Sequence, residues 1–110
     1  MAIGKIHTGD VNSDLILTIN ETVNGTNIPY DLQAANFSLL QIIVFDPDGN
    51  TEITLTASLV NSPGTDGKIH AINSSSSTFD EGGAWTAKGK VTLSDGSIFT
   101  SNPITFEVLD

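Results

Sequence analysis

The sequence of 110 residues contains no cysteine. Without a thiol the chain can form no disulfide, no zinc–thiolate site and no cysteine nucleophile. A chain of this length buries roughly two-thirds of its unfolded surface, so one domain can build a core without cross-links. We therefore expect a single domain over residues 1–110, stabilised by packing and backbone hydrogen bonds.

Basic residues are scarce, and arginine is absent. Four lysines stand against 13 aspartates and glutamates, which gives a formal net charge of −9. Recognition of phosphate depends on Lys and Arg, so we expect neither nucleic acid nor an anionic membrane as a partner. The missing arginine also removes the usual bidentate clamp for phosphate or carboxylate ligands. The simplest role of so acidic a surface is solubility.

Long apolar segments are missing as well. No stretch approaches the roughly 18 apolar residues of a membrane helix. Residues 1–7 also lack the charged-then-apolar pattern of a signal peptide. We expect the chain to be made in the cytoplasm, where it stays or joins a larger particle.

The sequence does contain strand patterns separated by turns, and the central hairpin is the clearest of them. Residues 39–45 are almost all apolar, residues 46–49 read Asp-Pro-Asp-Gly, and residues 53–59 alternate. Pro47 presets φ for the turn, and Gly49 accepts positive φ. We expect the first strand to be buried on both faces or central in its sheet, and the second to have one wet face.

Other alternating segments recur at about ten-residue spacing. They cover residues 3–7, 14–20, 26–30, 68–73, 84–93 and 98–109. Asn24 and Gly25 predict a tight hairpin turn, and Asp31 predicts the cap of a single helical turn. Pro103 cannot donate to a ladder, so the last strand should have an edge or a break there. The fold predicted is all-β, an immunoglobulin-like two-sheet sandwich of about seven antiparallel strands with Trp85 between the sheets.

One group of oxygen-bearing side chains superficially resembles a calcium loop. Its members are Asp46, Asp48, Asn50 and Glu52. An EF-hand needs Gly in the sixth place and a bidentate Glu in the twelfth, whereas Gly49 is fourth and Ala57 is twelfth. Asp80 and Glu81 could join a second such site. Turn chemistry explains all of these residues, so we assign no metal ligand.

No constellation for catalysis stands out. His7 and His70 have no second ligand at metal-binding spacing, and His70 alternates with apolar neighbours as a residue on a sheet face does. A Gly-x-Ser-x-Gly elbow and a phosphate-binding loop are both absent. Paired carboxylates for glycoside cleavage stay open, but aromatic residues make up only 6% of the chain and leave few rings for a cleft. We expect no enzyme, no catalytic residue and no cofactor.

Several landmarks in order carry a family resemblance. They are residues 4–10, 28–32, 45–49, 65–69, 82–85, 94–97 and 101–108. Together they resemble the small immunoglobulin-like structural proteins of tailed bacteriophages. The nearest named group is the N-terminal domain of phage upper-baseplate proteins, which dock receptor-binding modules onto a tail.

The resemblance implies a virion component, assembled in the host bacterial cytoplasm and carrying no catalytic residues. Its partners would be other virion proteins of the tail, baseplate, neck or capsid, and copies of itself in a symmetric assembly. Residues 3–7 and the segment around Pro103 are edge strands that such neighbours could cover. A capsid-decorating role is one alternative.

Two further alternatives stay open. A carbohydrate- or cell-surface-binding module would use Tyr30, Phe79 and Trp85 as sugar-stacking rings. A small hydrolase is suggested only by the number of carboxylates.

Overall fold

The computed structural model describes residues 6–10, 13–62, 64–73, 79–101 and 103–109. Within these ranges the chain forms eleven strands and one helix. The strands are β1 (Ile6–His7), β2 (Ser13–Thr18), β3 (Asn20–Val23), β4 (Thr26–Pro29), β5 (Phe37–Phe45), β6 (Glu52–Thr56), β7 (Ser58–Leu59), β8 (Lys68–Asn73), β9 (Gly83–Leu93), β10 (Ile98–Thr100) and β11 (Ile104–Leu109); the helix is α1 (Leu32–Ala35). Residues 3–5 of the first predicted strand, and the loop expected at 74–77, lie outside the described residues.

The strands form two facing sheets and a separate ribbon. The larger sheet has the order β1-β11-β9-β5-β6, and β10 also pairs with β9. The smaller sheet has the order β2-β8-β7, and β3 and β4 form the ribbon. One cluster of buried apolar side chains draws on both sheets. The predicted all-β sandwich is therefore confirmed.

The structure has more and shorter strands than the seven predicted. One reason is that the alternating segment 53–59 is divided between the two sheets. β6 pairs with β5 in the larger sheet, and β7 pairs with β8 in the smaller one. Ala57 lies between them, and its N–H donates to the carbonyl of Leu40 at 2.9 Å. One pairing also differs in direction, since β1 runs parallel to β11 rather than antiparallel.

The central hairpin forms as predicted. β5 lies between β6 and β9, with Ile42 and Val44 fully buried. Gly49 takes a φ of 75° in the turn. Of the two possibilities predicted for β5, the central position in the sheet is correct. The strand is not buried on both faces, because the side chains on its other face are only partly covered.

The last predicted strand breaks where Pro103 interrupts it. β10 and β11 both pair with β9, on the side away from β5. Between them the Ser101 N–H donates to the carbonyl of Gly89 at 2.9 Å, and the Ser101 Oγ accepts from the Gly89 N–H at 2.8 Å. A side-chain hydroxyl thus replaces a backbone acceptor at the break.

The two local turns predicted from the sequence are present. Asn24 and Gly25 have φ values of 52° and 80°, which fits the turn joining β3 to β4. The Asp31 carboxylate caps α1 by accepting from the N–H groups of Gln33 and Ala34, both at 3.1 Å. In the described part of the chain, no helix is long and apolar enough to cross a membrane.

Trp85 lies between the sheets as predicted, with 1% of its surface exposed. Its ring meets Phe79 edge-on at a centroid distance of 5.1 Å. Its indole N–H donates to the carbonyl of Glu81 at 3.0 Å, so burial leaves no polar atom of this ring without a partner.

Candidate functional site

The outer face of the larger sheet, turned away from the smaller sheet, presents two lysines. β9 alternates, so Ala87 points into the core and Lys88 and Lys90 lie on the outer face. β5 places Ile43 opposite Lys88 and Gln41 opposite Lys90. Positive charge is therefore set among apolar and polar side chains on an open sheet face.

Apolar side chains on the same face are unusually exposed. Leu39, Thr92 and Ile98 form one row across β5, β9 and β10. Leu39 is 40% exposed and Ile98 is 58% exposed. Isolated exposed apolar residues are ordinary, but several together on one flat surface indicate a contact site. We call this surface the lysine face; it comprises Leu39, Gln41, Ile43, Phe45, Lys88, Lys90, Thr92 and Ile98.

Neither lysine of the lysine face forms an ion pair with any residue that the structure describes. In the described ranges both ion pairs join a histidine to an aspartate, and neither involves Lys88 or Lys90. The Nζ of Lys88 instead lies 5.2 Å from the ring centroid of Phe45, a cation–π contact. Glu52, which pairs with Phe45, and Glu107 lie on the same outer face, on the bordering strands β6 and β11, so the positive charge is confined to the centre of the face. The centre of the face is thus positive in a chain whose net charge is −9.

The loops at one end of the sandwich gather negative charge. Carboxylate oxygens of Asp46, Asp48 and Glu81 all lie within 4.8 Å of one another. The sequence associated the two aspartates with Glu52, but the structure supplies Glu81 because the loop before β9 meets the loop after β5. Such a group could hold a hard cation, although exposed carboxylates often cluster without one. We call residues 46–51 and 79–82 the acidic end.

Hydrogen bonds hold Asp46 in its charged form. Desolvation raises the pKa of Asp46, but hydrogen bonds from Thr51, Asn50 and Gly49 outweigh it, so this pKa lies below its ordinary value of 3.8. The Asp46 Oδ1 accepts from the N–H groups of Asn50 at 3.0 Å and Thr51 at 3.2 Å. The acidic end therefore keeps the Asp46 charge at neutral pH.

Asp66 is held in the same way in the turn before β8. The side-chain amide of Asn61 donates to its carboxylate at 2.9 Å, and the N–H of Lys68 donates at 3.1 Å. These bonds, with the Asn61 contribution the largest, lower the pKa of Asp66 below 3.8.

Each histidine has a carboxylate neighbour. For His70, the spacing in the sequence did not reveal this neighbour. The Nδ1 of His70 lies 3.0 Å from an oxygen of Asp14 on the adjacent strand β2. The residues are 56 positions apart, and only the pairing of β2 with β8 brings them together. His7 donates its backbone N–H to Asp10 at 2.9 Å. The prediction that His70 lies on a sheet face is confirmed.

The rings considered for sugar stacking are largely inside the protein. Phe79 and Trp85 are buried, and Tyr30 is half-buried with its ring 4.5 Å from that of Phe99. A cavity of about 130 Å³ lies beside the break between β10 and β11. Neutral polar side chains and two apolar ones line it: Thr18, Asn20, Asn27, Ser101, Pro103 and Ile104.

Comparisons with known proteins give little beyond the fold. No protein-family model and no curated protein matches the sequence. Among solved structures, the chain is similar to the crystal structure of CopC from Methylosinus trichosporium OB3b, at 16% identity and a TM-score of 0.48. The similarity covers 99% of this chain and 85% of that one. At these values it carries no argument about function, and the resemblance to phage structural proteins stays a prediction from the sequence.

Proposed function

We propose that this chain is a structural or adaptor domain of a tailed bacteriophage particle. It is present in several copies, holds other virion proteins and catalyses no reaction. Tail, baseplate and neck positions fit this role, and decoration of the capsid is the alternative within the same class. The observation that supports the proposal best is the lysine face.

The size of the lysine face suits a protein contact. It extends over the three strands β5, β9 and β10, spaced about 4.8 Å apart, and residues 39–45 of β5 rise about 3.3 Å each. The face therefore measures roughly 14 by 23 Å, or about 320 Å², which is the size of the central part of a standard interface, in which each partner buries roughly 800 Å². A small-molecule site would instead be concave.

An open strand edge adds a second means of association. β6 forms one border of the larger sheet, and on its far side no described strand pairs with it. The outward backbone groups of such an edge can hydrogen-bond to an extended segment of another protein. Ile6 and His7 form the opposite border in β1, as the sequence predicted.

Purified particles give the direct test. Virions of the encoding phage are banded on a density gradient, and the copy number of this chain is measured by quantitative mass spectrometry against the major capsid protein. We expect a number divisible by three, five or six, because closed virion assemblies repeat identical contacts. Banded particles that lack the chain would rule the proposal out.

Carbohydrate binding is a second candidate, favoured only by the neutral polar cavity beside Ser101. Amides and hydroxyls suit a sugar, but the buried rings offer no stacking platform. A glycan array probed with the chain and with an Asn27→Ala variant distinguishes the two functions. Binding that Asn27→Ala abolishes would favour the cavity, and a blank array would leave the structural role.

A further inference from the structure

We propose that the lysine face receives the acidic end of a second copy of this chain. The inference rests on the proposed structural function and names one of its partners.

The first step is charge complementarity. The lysine face places Lys88 and Lys90 on adjacent outward positions of β9, with neither in an ion pair within the described residues. The acidic end carries Asp46, Asp48, Asp80 and Glu81. Opposite potentials on two surfaces favour encounter and fix their relative orientation.

The second step is independent of charge. Leu39 and Ile98 are exposed on the same face as the lysines, and Ile43 and Phe45 lie half-buried further along β5, beyond the pair of Gln41 with Lys90. A surface that bound its partner through charge alone would not need these exposed apolar side chains. In the acidic end, Pro47 is an exposed apolar residue beside the carboxylates. An apolar contact flanked by opposite charges is the usual composition of a specific interface.

The third step is the choice of a second copy. Elsewhere the described surface carries one lysine, Lys68, so copies of this acidic chain repel one another over most orientations. Docking of the acidic end on the lysine face is the orientation that reverses this repulsion. Because the two surfaces are different, each copy can also bind another in the same way, which suits a repeating assembly.

Charge reversal tests the contact in solution. Lys88→Glu with Lys90→Glu, and separately Asp48→Lys with Asp80→Lys, should each weaken self-association at least about tenfold, or 1.4 kcal/mol, in sedimentation equilibrium at low salt. A chain carrying all four changes should recover it. Lys88→Glu alone and Lys68→Glu each add two negative charges, so Lys68→Glu is the matched control for general repulsion and should weaken association less than Lys88→Glu does. Near-ultraviolet circular dichroism of each variant checks that the fold is kept.

The two reversals also separate this contact from general repulsion. Each Asp→Lys change adds two charges, so the variant with two such changes moves from −9 to −5. General repulsion between acidic chains would then fall and association would strengthen. The specific contact requires it to weaken. Strengthening in this variant, or no recovery in the fourfold variant, would overturn the inference.

Disulfide trapping shows the contact directly, because the natural chain has no cysteine. Lys88→Cys chains mixed with Asp48→Cys chains should give a mixed disulfide, whereas Lys68→Cys with Asp48→Cys should give little. The same pair is then built into particles. Particles that contain the chain without this cross-link would overturn the contact and leave the structural function standing. Particles without the chain would overturn the function itself.

Discussion

Replacing Gly67 with alanine tests how the smaller sheet is joined to the ribbon. Gly67 has a φ of 70°, and a Cβ added there would lie 2.6 Å from the carbonyl oxygen of Ile19 and 3.0 Å from the backbone N and O of Tyr30. Two of these atoms are hydrogen-bonded to each other, since the Tyr30 N–H donates to the Ile19 carbonyl at 2.8 Å, and the Ile19 N–H donates to the carbonyl of Gly67 at the same distance. The neighbours of the new methyl group are therefore backbone atoms that cannot move aside without losing hydrogen bonds.

The expected cost has two parts. The left-handed backbone conformation costs an alanine about 1–2 kcal/mol, and forcing a methyl group into occupied space costs typically about 1–3 kcal/mol. We expect Gly67→Ala to lose about 2–5 kcal/mol, a large part of the roughly 5–15 kcal/mol that stabilises a domain. Gly49→Ala is the control because Gly49 has a φ of 75° and no atom within 4 Å of an added Cβ. It should lose only about 1–2 kcal/mol.

Urea unfolding of both variants, followed by circular dichroism and by the fluorescence of Trp85, gives the two free energies. The difference between the variants isolates the steric part, because the conformational part is common to both. Equal losses in Gly67→Ala and Gly49→Ala would refute the close approach of the backbone at Gly67.

Three further changes have defined outcomes. Ser101→Ala should cost about 1–3 kcal/mol in urea unfolding, because the half-buried N–H of Gly89 loses its acceptor. Trp85→Phe should cost at least about 1 kcal/mol, because the smaller ring fills less of the core and the hydrogen bond from the indole N–H to the Glu81 carbonyl is lost. In the unmodified chain the emission of this tryptophan should be blue-shifted and insensitive to acrylamide. Asp66→Asn should make the free energy of unfolding depend less on pH in the acid range. The pKa of Asp66 is lower in the folded chain than its unfolded value of 3.8, so the charged carboxylate stabilises the fold above that value. This stabilisation is lost as the pH falls through the folded pKa. A variant whose unfolding midpoint falls as steeply as that of the unmodified chain below about pH 4 would contradict this.

The fold was predictable where local chemistry and side-chain period agree. Buried Leu15, Leu17 and Ile69 follow the alternation of their strands, and Asp31 caps its helical turn because its carboxylate can reach the N–H groups two and three residues further along the chain. The change of sheet at Ala57 was not predictable, since alternation continues unbroken through it. The parallel pairing of β1 with β11 was missed for a related reason, because a side-chain period does not encode strand direction.

Contacts between segments that are distant in the chain could not be predicted from the sequence. The grouping of Glu81 with Asp46 and Asp48 depends on β5 and β9 being antiparallel neighbours, which brings their loops to the same end of the sheet. The contact between His70 and Asp14 depends likewise on the pairing of β2 with β8. The order of the strands in a sheet is set by packing between segments that are distant in the chain. Local patterns in a single sequence do not reveal that order.

The apolar run in β5 connects the sequence to the proposed assembly. Residues 39–45 have the pattern of a strand buried on both faces, yet in the single chain Leu40, Ile42 and Val44 are buried while Leu39 is 40% exposed. A continuous apolar run is typical of strands covered on both sides, whereas a solvated sheet face alternates with polar residues. Docking of a second copy on the lysine face would cover the other side of β5 and remove this mismatch. Hydrogen exchange at the backbone N–H of Ile43 should then slow in assembled particles relative to the free chain, and equal rates in both would show that β5 stays uncovered.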